Sequence, residues 1–141
     1  MRWLDWYGDG SLYVVDIALA CCALEFEAAA TGVPAAPGGP EAPGGPAPGA
    51  RVAVVVSGTV TDLLAPAVCA IIDACAERGM SRPAVISFGA CASSGGPYWD
   101  SYAVTKGIDQ LVEVDLYVPG CPPPPEALAA ALDAVAGRVP A

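Results

Sequence analysis

The 141 residues contain no histidine. That removes Ser-His-Asp and Cys-His catalytic arrangements from within the chain. Mixed Cys/His zinc sites go with them, so any metal held here rests mainly on sulfur. Charge is sparse as well: 15% of residues are charged, low for a free-standing soluble domain, and part of the surface is expected to lie under partner subunits. Basic residues are the scarcest class, 6 against 15 acidic, for a net charge of −9. Nucleic acid and anionic lipid are poor partners for such a chain. Long apolar runs are missing too. Charges or Gly/Pro clusters interrupt every apolar stretch before the roughly 18 residues that a membrane span needs. Met1-Arg2-Trp3-Leu4-Asp5-Trp6-Tyr7 lacks the basic and then apolar regions of a signal peptide. These absences lead to the expectation of a cytoplasmic chain with reduced thiols. Its six cysteines then point to metal ligation or burial before disulfides.

What is present suggests one α/β domain over residues 1–141. The apolar fraction, 55%, is ample for a core, much of it alanine. Residues 11–20 read as a strand and 22–31 as a helix, with Glu25 and Glu27 in the early turns where carboxylates suit the helix dipole. Ala-Pro-Gly-Gly-Pro occurs twice within residues 32–50, a Pro/Gly-rich stretch read as a flexible or extended loop. Arg51-Val52-Ala53-Val54-Val55-Val56-Ser57 is the clearest strand, apolar throughout as in a parallel sheet covered on both faces. Thr61 or Asp62 is placed to cap a helix over about 63–79, with Pro66 tolerated in its first turn. Residues 83–88 and 111–118 read as further strands, 91–97 as a loop and about 126–137 as a last helix. Strand alternating with helix predicts a three-layer sandwich around a parallel sheet of about four strands. Sites in such sheets form at the carboxyl ends of the strands.

Cys21-Cys22, Cys91 and Cys121 all fall just past a predicted strand end. If the strands are parallel, four thiols converge on one edge. A [4Fe–4S] cluster needs four thiolates on irregular backbone that can wrap a cube, and Gly and Pro surround Cys91 and Cys121. Adjacent cysteines are awkward as two ligands of one cube, since successive side chains tend to diverge. A strand-to-helix turn can bring them together. Spacing alone leaves open a cluster, a Cys₄ zinc site and plain burial of small apolar side chains. Cys69 and Cys75, on the helix 63–79 among Ala and Ile, are expected to be core.

Several segments together resemble the 20 kDa iron–sulfur subunit of the NADH–quinone oxidoreductases (respiratory complex I). They are Ala20-Cys21-Cys22-Ala23-Leu24-Glu25, Ser57-Gly58-Thr59-Val60-Thr61 with Ala65-Pro66-Ala67, Gly89-Ala90-Cys91-Ala92, and Asp115-Leu116-Tyr117-Val118-Pro119-Gly120-Cys121-Pro122-Pro123. Ser101-Tyr102-Ala103-Val104 and Lys106-Gly107-Ile108-Asp109 fit the same pattern, and the resemblance covers roughly 11–31 and 51–135. It implies a flavodoxin-like α/β core and an electron-transfer subunit, without a complete active site of its own. It implies one [4Fe–4S] cluster, terminal in the electron chain, on Cys21, Cys22, Cys91 and Cys121. The implied partners are a large catalytic subunit, ferredoxin-like and membrane subunits, and quinone at the subunit junction. The implied location is peripheral, on the cytoplasmic side of the cell membrane. The family is similar to the small subunits of nickel–iron hydrogenases, whose membrane-bound members space the first two cysteines as C-x-x-C; adjacency favours the complex I branch. The alternatives are a hydrogenase-like small subunit or one serving another electron acceptor, and a non-enzymatic Cys₄ zinc or scaffold subunit. Glu25 is a candidate for tuning proton-coupled potential, and Tyr117 and Asp115 are read as structural. Where the family carries a basic, aromatic segment that shapes the quinone cavity, this chain has the Pro/Gly stretch, with only Arg51 at its end.

Overall fold

Five consecutive residues of the run 52–56 alternate between two cores, which is why the run is apolar throughout. Val52, Val54 and Val56 point to one side of the sheet and Ala53 and Val55 to the other. The computed structural model describes residues 2–34, 46, 49–79 and 81–138. Along the chain come β1 (Leu4–Asp5), β2 (Leu12–Ala18), α1 (Cys22–Ala29), β3 (Arg51–Ser57) and α2 (Ala65–Gly79). They are followed by β4 (Ala84–Phe88), α3 (Ala90–Ser94), β5 (Leu116–Val118) and α4 (Pro125–Ala136). Among the described residues the sheet order is β1-β2-β3-β4-β5. Strands β2 to β5 are parallel, in a register that aligns Val14 with Ala53, Val54 with Val85 and Phe88 with Val118.

The three-layer α/β sandwich is the architecture found. Helix α2 buries Val68, Ile72 and Cys75 on one face, against Val15, Val54 and Val85. Helices α1 and α4 bury Phe26, Leu128 and Leu132 on the other, against Val14, Val55, Ile86 and Phe88. Thr61 caps α2 as expected: its Oγ1 accepts from the Leu64 N–H at 3.3 Å, and its carbonyl accepts from Ala65 at 2.9 Å.

Three local expectations change. The strand expected over 111–118 narrows to Leu116–Val118. Residues 108–110 form a 3₁₀ turn, and Val112 and Val114 pack against the α2-side core instead of extending the ladder. The loop expected at 91–97 begins as helix, Ala90–Ser94, followed by a 3₁₀ turn at Gly96–Tyr98. An edge strand, β1, precedes the first expected one and pairs antiparallel with β2 through Leu4↔Val14 and Asp5↔Tyr13. Two residues carry too little alternation to read as a strand. Most of the stretch 32–50 lies outside the described residues.

One topological feature sets the sheet apart. The steps β2→β3 and β3→β4 move the same way across it, yet α1 and α2 lie on opposite faces. In the flavodoxin order a strand after the first helix lies outside the first strand. Here β1 holds that outer place, and among the described residues no strand lies between α1 and β3.

Candidate metal centre at the carboxyl edge

Three turns leave the carboxyl edge of the sheet, and each carries cysteine. After β2, the N–H groups of Leu19 and Ala20 both bond the Ser57 carbonyl, at 3.0 and 3.2 Å. This draws the turn against Gly58, where a Cβ would collide with the Ala20 backbone. Gly58 also has φ +130°, a region that L side chains avoid. Cys21 then stands at the N-cap of α1 and Cys22 is its first residue. Cys21 is exposed, while Cys22 is buried between α1 and the sheet. The helical turn thus sends adjacent side chains to different depths.

The turns after β4 and β5 are tied together. The Gly89 N–H bonds the Val118 carbonyl at 2.8 Å and the Ala90 N–H bonds the Gly120 carbonyl at 2.9 Å. Cys91 is buried in α3, and Cys121 is exposed after Gly120. Glycines make room for two of the sulfurs. A Cβ on Gly89 would fall inside the van der Waals surface of Cys22 Sγ, and one on Gly96 would stand 2.9 Å from Cys91 Sγ.

The thiols sense one another. Burial pushes the Cys22 thiol up to about 12, and the negative charge that Cys21, Cys91 and Cys121 would carry pushes the same way, as does a hydrogen bond with Cys21. All four predicted ligands thus share one electrostatic neighbourhood. Cys22 therefore holds its proton and is poorly suited to act as a free thiolate nucleophile. Among the described residues no group of three or more Cys, Asp or Glu side chains is gathered tightly enough to hold a single metal ion.

The sequence profile described as NADH ubiquinone oxidoreductase, 20 Kd subunit, matches residues 20–135, a span that holds all four cysteines and the three turns. The chain belongs to the 20 kDa NADH–ubiquinone oxidoreductase subunit family. Over 127 residues it is 52% identical to a B-type NADH-quinone oxidoreductase subunit of Salinispora tropica, covering 89% of this chain and 64% of that one. It is 51% identical to a B-type subunit of the same enzyme from Streptomyces griseus, covering 89% and 52%. The chain thus spans between about half and two thirds of these relatives. Among solved structures it is similar to a chain of the membrane-bound sulfane sulfur reductase, an archaeal respiratory membrane complex. That match has a TM-score of 0.64 at 25% identity and covers 94% of this chain and 72% of the other.

The remaining residues singled out in this 20 kDa-family chain fall elsewhere. Cys69 and Cys75 lie on α2, on the face of the sheet opposite Cys22. Cys75 is buried there, and burial pushes its thiol up to about 11. Glu25 is half-buried in the first turn of α1. Asp115 ties β5 to β4: its Oδ2 accepts from the Val85 N–H at 2.7 Å and its Oδ1 from Arg82 at 3.0 Å. Tyr117 donates to Asp109 at 3.2 Å. No described helix is long and apolar enough to cross a membrane.

Two features escape sequence reasoning. The segments leaving the carboxyl edge expose Leu24, Leu63, Leu64, Tyr98, Trp99 and Tyr102. Two of these segments are cross-tied: Asp62 N–H bonds Ala103 and Thr105 N–H bonds Val60, both at 2.9 Å. The second is Asp16, inside β2. Its Oδ1 accepts from Ser57 Oγ at 2.5 Å, its Oδ2 is buried with no hydrogen-bond partner, and burial pushes the carboxyl up to about 7. The available signal is a lone charge in an otherwise apolar strand.

Proposed function

We propose that this chain is an electron-transfer subunit of a complex I-like NADH–quinone oxidoreductase, with Cys21, Cys22, Cys91 and Cys121 holding the terminal [4Fe–4S] cluster that serves quinone. The observation that carries this reading is the convergence of three cysteine-bearing turns on one sheet edge, with Gly89 beside Cys22 Sγ and Gly96 beside Cys91 Sγ leaving space for the sulfurs. A cube is the group these residues fit. It takes all-sulfur ligands on irregular backbone, and its ligand sulfurs stand further apart than those around one zinc ion. When bound, such a group supplies one-electron transfer.

This chain's own part is to bind, orient and shield. Cys22 and Cys91 ligate from the buried side, and Cys21 and Cys121 from the exposed side. The hydrogen bonds from Gly89 and Ala90 to the turn after β5 hold the last two ligand turns in a fixed relation. Ligation by Cys22 would require loss of the thiol proton that burial favours. The exposed Leu24, Leu63, Trp99 and Tyr102 suit a large catalytic subunit that closes the edge against water, with quinone at the junction. Held by such partners, ferredoxin-like and membrane subunits included, the chain sits peripherally on the cytoplasmic side of the cell membrane.

A second reading has the same ligands serving an acceptor other than quinone. The likeness to a chain of the sulfane sulfur reductase complex supports it. The test for both is anaerobic purification with partner subunits, followed by iron and sulfide analysis. The expected result is about four irons and four sulfides per chain, with an EPR signal on reduction that Cys121→Ala abolishes and Cys69→Ala leaves intact. One zinc and no iron would overturn both readings. Reduction of added quinone by the intact complex separates the first from the second.

A further inference from the structure

We propose that Ser93, oriented by Ser87, is a positioning residue for the cysteine edge: its hydroxyl fixes the Gly89 peptide, and with it the relation of Cys91 to Cys22. The spectroscopic consequences rest on the cluster reading above; the placement of the two thiols rests on geometry alone. Ser87 is the polar residue of an otherwise apolar strand and is fully buried. It shares the α2 side of β4 with Val85, since Ile86 and Phe88 face α1 and α4. A hydroxyl buried there needs a partner, and Ser93 Oγ of α3 lies 2.9 Å away. The direction of that bond follows from the next one. Ser93 Oγ donates to the Gly89 carbonyl at 2.8 Å, a group that only accepts. A serine has one hydroxyl proton, so Ser87 donates to Ser93 and Ser93 donates to Gly89.

Gly89 is held at both of its polar groups. Its carbonyl also accepts from the Ser93 amide, at 3.2 Å, and its N–H donates to Val118 of β5 at 2.8 Å. Cys22 Sγ lies against this glycine, and Cys91 is the second residue of the helix that holds it. That helix, α3, is only five residues long, too short to stand on its own hydrogen bonds. Ser94 adds a bond to the Ala90 carbonyl at 3.4 Å, but that tie stays within α3. Ser93 is what joins α3 to the buried face of β4 through side chains. Its backbone is packed from the other side: a Cβ on Gly107 would stand 2.5 Å from the Ser93 carbonyl oxygen. Loss of the Ser93 hydroxyl frees the Gly89 carbonyl from one of two bonds and leaves the buried Ser87 hydroxyl without its acceptor. Loss of both hydroxyls spares the second cost.

The experiment has two arms. In the first, the cluster-free full chain is alkylated with iodoacetamide and each cysteine is followed by peptide mass spectrometry. Cys91 is 5% exposed and should react slowly in wild type. Ser93→Ala should speed its reaction about three- to tenfold, the population gained by local opening when one hydrogen bond is lost. Cys75 on α2 should be unaffected, Ser93→Thr should restore the slow rate, and Ser94→Ala should match wild type. The double variant Ser87→Ala/Ser93→Ala should be at least as stable as Ser93→Ala and expose Cys91 equally, which keeps the test open if the single variant folds poorly. In the second arm, the complex is purified anaerobically with its partner subunits and titrated with dithionite under EPR. Ser93→Ala should keep its iron but give a broadened signal and a shifted midpoint potential, and the double variant should give the same shift. A Cys91 that reacts no faster in Ser93→Ala or in the double variant would overturn the proposal, as would an unchanged signal and potential. Faster Cys91 reaction beside a wild-type complex without iron would uphold the placement of the thiols by Ser93 and overturn the cluster reading alone.

Discussion

Substituting Gly89 by alanine tests the site at its tightest point. Gly89 has φ +97° and ψ 168°, a region that is essentially glycine-only and costs about 1–3 kcal/mol for other residues. A Cβ there would also collide with Cys22 Sγ, and Cys22 is only 2% exposed. Forcing volume into a packed site costs about 1–3 kcal/mol more. The expected loss is therefore about 2–6 kcal/mol. Gly32→Ala is the control: its φ is also positive, at +81°, but nothing lies within 4 Å of an added Cβ, so it carries backbone strain of about 1 kcal/mol and no collision. Thermal melting of the full chain should rank wild type, Gly32→Ala and Gly89→Ala in that order. Anaerobic iron and sulfide content should be full in the control and depleted in Gly89→Ala, because Cys22 must move to admit the methyl group. A Gly89→Ala protein with full iron content and the stability of the control would refute the account of Gly89 as the clearance for Cys22.

Two further outcomes follow from titratable groups. The Asp16 carboxyl sits at about 7 when folded against 3.8 ordinarily, so the folded state holds a proton that the unfolded chain has released. Stability contributed by Asp16 is then complete below about pH 4 and falls as pH rises towards 7, by about 2–4 kcal/mol after allowance for its partial exposure. Asp16→Asn should remove that slope in chemical denaturation and gain on wild type with rising pH; a parallel pH profile would refute the assignment. Asp115 behaves oppositely. Partial burial pushes its carboxyl up, but Arg82 and the Val85 N–H outweigh this and hold it below its ordinary value. Its contribution is present at neutral pH and is lost as pH falls below about 4. Asp115→Ala should cost about 1–3 kcal/mol by leaving Val85 N–H without that acceptor, and urea melts at pH 7 that match wild type would show the clasp to be idle.

How much was legible in the chain follows from how local each signal is. The run 51–57 reads as a strand because both of its faces are buried, and its bounds match the structure, Arg51–Ser57. The helix over about 63–79 is legible from its cap, since Thr61 binds the first turn through both hydroxyl and carbonyl. The stretch 111–118 misleads because Val112 and Val114 are apolar for a different reason: they cover the α2-side core from irregular backbone. Only Leu116–Val118 pair with β4. The β1 strand was not legible because its two residues owe their conformation to β2. The opposite faces taken by α1 and α2 are a property of the assembled sheet, which no window of sequence encodes.

The adjacent cysteines show the same division between local pattern and assembled geometry. On a strand, neighbouring side chains point to opposite faces, and two thiols could not serve one group. On the first turn of a helix they differ by about 100°, which leaves Cys21 facing solvent and Cys22 facing the sheet within hydrogen-bonding reach. That arrangement works only if the helix begins at Cys22, and its start depends on a residue far along the chain. Ser57 receives the Leu19 and Ala20 amides, and Gly58 admits the Ala20 backbone where any Cβ would bar it. The pair at 21–22 and the Ser57-Gly58 turn are thus one structural unit. The same serine hydroxyl reaches Asp16. One residue of β3 thus fixes both the ligand turn, through its carbonyl, and the buried carboxyl of β2, through its hydroxyl.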